Sequence, residues 1–190
     1  MVAFISTFDS YADNTLAKNG DQACYNALVG FCRKVGEAID VVPDAEVLSG
    51  LSALLPPLLA LPNFLTPEQR ILPSHGYVRH NLFICPSEAF SVLAAVWPAG
   101  VVSPIHDHKT WCVFGIYEGV IRETRYIQSA AAVDSTRDLI AGDVAHLPVD
   151  VPDIHCMHNA TSEPAFSIHV YGGNADRIGP NVKNIYNSES

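Results

Sequence analysis

Downstream of Tyr77 the chain is a succession of short runs rich in β-branched and aromatic residues: YVRHNLFI, AFSVLAAVW, SPIHDHKTWCVFGIY, VIRETRYIQ, DVAHLP, DIHCMHN and AFSIHVYG. Gly100, Gly119, Gly142 and Gly172-Gly173 punctuate them. Short runs at regular spacing, closed by residues that suit a chain reversal, predict antiparallel strands packed as a sandwich or small barrel. The preceding segment has a different period. Cys24, Leu28, Phe31, Val35 and Ile39 recur at steps of three and four behind a cap at Asp13 or Asn14, the spacing of a helix face. A second such face, Val47, Leu51, Leu54, Leu55 and Leu58, follows Pro43-Asp44. Thr66-Pro67-Glu68-Gln69 has the form of a capping box opening a third helix. The expected fold is mainly β with a helical N-terminal third. One domain would span 1–190, helical to about residue 75 and β from about 76, with a frayed NSES tail.

Composition narrows the function. A chain of 190 residues that is 48% hydrophobic can bury one sizeable core. Its 20 acidic against 11 basic side chains give a net charge of −9, which argues against nucleic acid, because phosphate binding needs clustered Lys and Arg. The opening MVAFISTFDSYADN lacks the basic and apolar regions of a secretory signal. The apolar stretch from Val47 to Leu65 is broken by Ser49, Ser52 and Pro56-Pro57, so it reads as a core helix and its exit, not a membrane span. Five cysteines without C-x-x-C spacing indicate free thiols in a reducing cytoplasm. Monomer and small homo-oligomer both stay open.

Within GVVSPIHDHKTWCVFGIYEG, His106 and His108 flank Asp107. Residues i and i+2 of a strand share a face, so both imidazoles can point inward while Asp107 points away. Downstream, Gly142, Pro148, His155 and Asn159 form a second block. Three imidazoles converging from separated strands, His106, His108 and His155, form a candidate metal site whose ligands are all neutral. Imidazole alone does not tell iron from zinc, copper or nickel. His158 competes with His155, but its odd offset turns it to the opposite face. His75, His80 and His146 are ordinary by default. Ser167, His169 and Tyr171 alternate in AFSIHVYG, so they share one strand face and could form a hydrogen-bonded relay. The alternative is an amphipathic strand with a polar inner face. A hydrolase is disfavoured, since no G-x-S-x-G is present.

The two histidine blocks resemble the paired signature of the cupin superfamily, a double-stranded β-helix holding one metal. At the position of the usual glutamate ligand stands Cys112. Taken with H-x-x-x-N in DIHCMHN and S-x-H-x-Y beyond it, the pattern is similar to the thiol dioxygenases of the cysteine dioxygenase family. FSIHVYGGN looks most like their bacterial members, which include 3-mercaptopropionate dioxygenases. The likeness runs from about Tyr77 to Asn187.

The resemblance implies that His106, His108 and His155 bind Fe(2+), without an anionic ligand to compensate the dication. It also implies that Ser167, His169 and Tyr171 form an outer relay, with the Tyr171 hydroxyl near bound thiol and oxygen. Counting back from Gly119 puts Cys112 where animal members join a cysteine covalently to that tyrosine; counting forward from His108 falls one residue short. Cys112 is thus expected to face Tyr171 across the barrel, as a thioether or as a small buried thiol. Arg79 in YVRHNLF resembles the arginine of the family strand YxRNL that holds the substrate carboxylate. An extra residue separates it from Asn81-Leu82, and 3-mercaptopropionate dioxygenases typically carry glutamine there. Arg122, Arg125 and Arg177 are the other candidate carboxylate clamps, each read first as a solvated surface charge. The implied activity is oxidation of cysteine, 3-mercaptopropionate or mercaptosuccinate to its sulfinate by dioxygen. Rival readings are another metal-dependent cupin enzyme, a carbon dioxygenase or isomerase, and a non-catalytic cupin that binds a ligand or metal.

Overall fold

The computed structural model describes residues 22–39, 43–127, 132–149 and 153–186. The expected cap at Asp13 or Asn14 and the NSES tail lie outside those residues. Helix α1 (Gln22–Ala38) buries Cys24, Leu28, Phe31, Cys32 and Val35, a stripe at the three-and-four spacing that a helix turns to its core. Asp44 caps α2 (Ala45–Leu54), its side chain accepting from the Val47 amide at 2.9 Å. The buried face of α2 is centred on Leu48, Leu51 and Leu55, with Val47 and Leu54 at its margin. Pro56 cannot supply a helical amide, so the chain restarts in the single turn α3 (Pro56–Leu59), which adds Leu58 and Leu59 to the core.

The third expected helix is corrected to one 3₁₀ turn, Glu68–Arg70. Its capping box does form, with the Thr66 amide donating to Gln69 Oε1 at 3.0 Å and the Gln69 amide to Thr66 Oγ1 at 3.3 Å. Ile71 is already extended, and Pro73 disfavours a helical conformation at Leu72 behind it. A cap starts a helix but does not sustain one without an apolar face behind it.

Ten strands form two five-stranded sheets: β1 (Val78–Ile84), β2 (Phe90–Trp97), β3 (Ile105–His108), β4 (Cys112–Glu118), β5 (Val120–Ile127), β6 (Ala132–Ile140), β7 (Val144–Leu147), β8 (Ile154–His158), β9 (Ala165–Gly172) and β10 (Val182–Tyr186). The first sheet runs β1-β2-β9-β4-β7 and the second β10-β3-β8-β5-β6, with every pair antiparallel. The fold is a mainly β two-sheet sandwich with N-terminal helices. SPIHDHKTWCVFGIY is two strands in different sheets, β3 and β4, and not one run. Strands β6 and β10 were not expected at all. Both are sheet edges whose side chains are mostly exposed, so they lack the apolar alternation that marks a half-buried strand.

Two apolar layers result. Val92, Ala94, Val96, Phe166, Ile168 and Val170 leave the outer face of the first sheet and pack with the helices. Leu93, Ala95, Trp97, Phe114, Ile116 and Met157 fill the space between the sheets. Strands β2 and β9 are therefore buried on both faces. Helix and sheet pack tightly at Gly115, where a Cβ would lie 2.6 Å from Leu59 Cδ1 and 3.0 Å from Leu55 Cδ2. At Gly119 the turn into β5 takes φ +84° against Ala165, a conformation open to glycine. No helix among the described residues is long and apolar enough to cross a membrane.

Candidate metal centre

Strands β3 and β8 are neighbours, and His106 lies directly opposite His155 in their register. His108, two residues along β3, falls on the same inward face. One nitrogen from each of the three rings lies within 4.8 Å of the others. Ring centroids are 4.8–5.0 Å apart and mutually tilted by 52–67°. His158 is not part of the cluster; it bridges Val102 in the backbone ladder instead.

The far side of each ring is occupied by an acceptor. His106 Nδ1 lies 2.8 Å from the Pro104 carbonyl, His108 Nδ1 3.0 Å from Asp153 Oδ2, and His155 Nδ1 3.0 Å from Glu123 Oε1. A carbonyl and two carboxylates can only accept, so each Nδ1 donates and each Nε2 turns its lone pair to the shared space. His155 Nε2 is buried and has no hydrogen-bond partner among the described residues. These residues fit a metal ion. Burial, with His155 and His108 alongside, pushes His106 down to about 3; burial likewise lowers His108, against the opposing hydrogen bond that it donates to Asp153.

Glu123 and Asp153 were missed in the sequence. Glu123 is fully buried on β5. Burial alone would raise its carboxyl, but the hydrogen bond and charge of His155 and the charges of Arg125 and Arg137 bring it down to about 2. Arg125 spans the two carboxylates, 3.2 Å from Glu123 Oε1 and 3.6 Å from Asp153 Oδ1. The expectation of an uncompensated dication is corrected accordingly: negative charge stands one hydrogen bond behind two of the three imidazoles. The available signal was position, because Glu123 shares the inward parity of buried Ile121 on β5, where an unpaired carboxylate would be very costly.

The three histidines open onto a cavity also lined by Tyr77, Arg79, Cys112, His169 and Tyr171. Ser167, His169 and Tyr171 share the inner face of β9, as their alternation predicts. Ser167 Oγ is 2.8 Å from His169 Nε2 and Tyr171 Oη 3.2 Å from His169 Nδ1. Phe114 stacks on the His169 ring at 5.4 Å and 14°. Burial, then the nearby Arg79 guanidinium, push His169 down to about 3. Burial raises the Tyr171 hydroxyl, with the Cys112 sulfur adding to it and Arg79 opposing.

Cys112 is the position to correct. It does not face Tyr171 across the barrel; it is the direct register partner of Tyr171 on the adjacent strand β4. Opposite residues in an antiparallel pair hold their Cβ atoms roughly 5 Å apart. The Cys112 sulfur lies 4.0 Å from His169 Nδ1, and burial, then Asp153 and Glu123, raise its thiol. Arg79 reaches the cavity from β1, opposite Ala95. A register shift between Asn81 and Phe83 absorbs one extra residue immediately downstream, as a bulge does. Arg122 pairs with Asp138 and Arg177 with Glu88 outside the cavity. Arg125 is no free surface charge, being engaged by Glu123 and Asp153.

A family model described as Cysteine dioxygenase type I matches residues 70–179, the interval that holds all of these cavity residues. Among solved structures, the chain is similar to a Cupin_2 domain of an XRE-family transcriptional regulator from Enterobacter cloacae, at 16% identity and TM-score 0.40, covering 52% of this chain and 97% of that one. A sugar phosphate isomerase of the cupin superfamily from Silicibacter pomeroyi matches at 22% identity and TM-score 0.43, covering 54% and 69%. Oxalate oxidase matches at 16% identity and TM-score 0.45, covering 53% of each chain, so the match spans about half the length of that enzyme.

Proposed function

Because the chain belongs to the cysteine dioxygenase type I family, we propose that it is an iron(II)-dependent thiol dioxygenase that converts a small carboxylate-bearing thiol to its sulfinate. Cysteine, 3-mercaptopropionate and mercaptosuccinate are the candidate substrates. The observation that carries this reading is one cavity in which three Nε2 lone pairs face Arg79 and the Ser167–His169–Tyr171 relay. Iron, when bound, supplies the centre at which thiolate and dioxygen meet, and both oxygen atoms pass to one sulfur without an external reductant.

The chain's own residues do the rest. Arg79 offers a planar fork of donors suited to a carboxylate, which fixes the thiol end of the substrate toward the histidines. Tyr171 holds a hydroxyl beside the space the sulfur would occupy. His169 stays neutral and carries the hydrogen bonding between that hydroxyl and Ser167. The surrounding apolar side chains exclude bulk water and strengthen each of these polar contacts. A thioether from Cys112 to the ring of its neighbour Tyr171 would form with loss of the thiol hydrogen and one ring hydrogen, which dioxygen takes up as hydrogen peroxide. All five cysteines are free, in keeping with a reducing cytoplasm, and the excess of acidic residues disfavours nucleic acid as a partner.

Oxygen uptake by the iron-reconstituted protein over these three thiols, with mass spectrometry of product and enzyme, tests the reading. Thiol-dependent uptake with a sulfinate product is expected. Stoichiometric iron with no uptake for any of the three would overturn it. An enzyme mass two hydrogens below the sequence value, restored in Cys112→Ser, would report the thioether.

A further inference from the structure

The relay on β9 has a terminus that the three-residue pattern does not contain. Trp97 ends β2, and its indole lies on the inner face, two residues beyond Ala95, the register partner of Ser167. Trp97 Nε1 donates to Ser167 Oγ at 2.9 Å. Tyr77 stacks on the indole at 4.4 Å and 18°, and Trp97 itself is only 3% exposed. Indole N–H is a donor and nothing else. This one-way group sets the sense of every hydrogen bond behind it.

Ser167 is fully buried, and among the described residues its hydroxyl has two partners, Trp97 and His169. It accepts from Trp97, so its own hydrogen has one acceptor in reach, His169 Nε2. Were Nε2 protonated instead, the serine hydrogen would be buried without a partner, which disfavours that tautomer. In the neutral ring the remaining hydrogen is then on Nδ1 and is donated to Tyr171 Oη. The phenol accepts from His169, which leaves its own hydrogen for the Cys112 sulfur or for a ligand in the cavity.

We infer that Trp97 is a positioning residue that fixes His169 as the Nδ1–H tautomer and thereby turns the Tyr171 O–H outward as a donor to whatever occupies the metal cavity. Its consequence for thiol oxidation rests on the function proposed above; the tautomer itself does not. The test is the nitrogen spectrum of histidine-labelled, zinc-substituted protein, in which a diamagnetic ion keeps ring resonances sharp. In the parent protein His169 is expected to show a protonated Nδ1 and an unprotonated Nε2. Trp97→Phe removes the donor but keeps an aromatic ring, and it is expected to lose that single pattern in favour of Nε2–H or a mixture. Should Trp97→Phe fail to fold, Ser167→Ala cuts the same chain one link later and carries the same expectation. An Nε2–H pattern in the parent, or an unchanged Nδ1–H pattern in both variants, would overturn the assignment. In the iron-loaded enzyme Trp97→Phe should lower kcat for thiol oxidation and leave KM for the carboxylate thiol nearly unchanged. Absence of turnover alongside the expected tautomer would sink the proposed function and leave this inference standing.

Discussion

A carboxylate with no solvent exposure is stable only when its charge is met, and Glu123 meets it with His155, Arg125 and Arg137. Those bonds also decide which nitrogen of His155 faces the cavity. Glu123→Gln keeps the shape but not the charge, so metal affinity should fall by about 10–100-fold, measured by competition with a chromophoric chelator. Arg79→Ala should raise KM for carboxylate thiols with a smaller effect on kcat; an unchanged KM would remove Arg79 from carboxylate binding. His106 and His108 were legible because i, i+2 on a strand has one geometric meaning, and His155 because a second block of fixed spacing carries it. Their carboxylate partners were not: Glu123 and Asp153 act across strands, at positions that only the register of β3, β8 and β5 brings to the rings.

Elements show a similar division. The face of α1 could be read directly, since Cys24, Leu28, Phe31 and Val35 are all buried. β6 and β10 were invisible because an exposed edge strand has no reason to alternate. The helices were legible as helices but their purpose was not. They lie on the back of the strands that carry the relay, so that Ile168 and Val170 have an apolar environment behind Ser167, His169 and Tyr171. Leu55 is wholly buried in that layer. Leu55→Ala should cost roughly 3 kcal/mol of stability in chemical denaturation, with metal stoichiometry unchanged, since the ligand strands β3 and β8 belong to the other sheet. Gly115→Ala should be harmful as well, because a methyl there meets Leu59.

For the whole molecule, the cavity is a cluster of groups that refuse protons in the folded state. His106 and His169 are depressed from 6.5 to about 3, and Glu123 from 4.5 to about 2. Below the unfolded values the unfolded chain binds protons that the folded chain does not, so stability rises with pH across both windows and is lost on acidification. The Tm of chelator-treated protein should therefore fall steadily between about pH 6.5 and pH 3. A flat profile would mean that these side chains are solvated. Metal should deepen the loss, since protons then compete with the ion for the same imidazoles.

Asp107, which the alternation of β3 turns away from the metal, accepts from the Asn184 amide at 2.7 Å, from Asn184 Nδ2 at 2.9 Å and from the Tyr186 hydroxyl at 3.1 Å. It thus clasps β10 along the strand that bears His106 and His108. The clasp joins residues 77 positions apart, and during synthesis the later strand leaves the ribosome several seconds after the earlier one, at roughly 5–20 residues per second. Until then β3 has a bare edge and its two imidazoles have only β8 to hold their spacing. The edge that steadies the metal-binding strand is consequently closed only after β10 has emerged and docked, which places final ordering of the two imidazoles later than the synthesis of any of the three histidines.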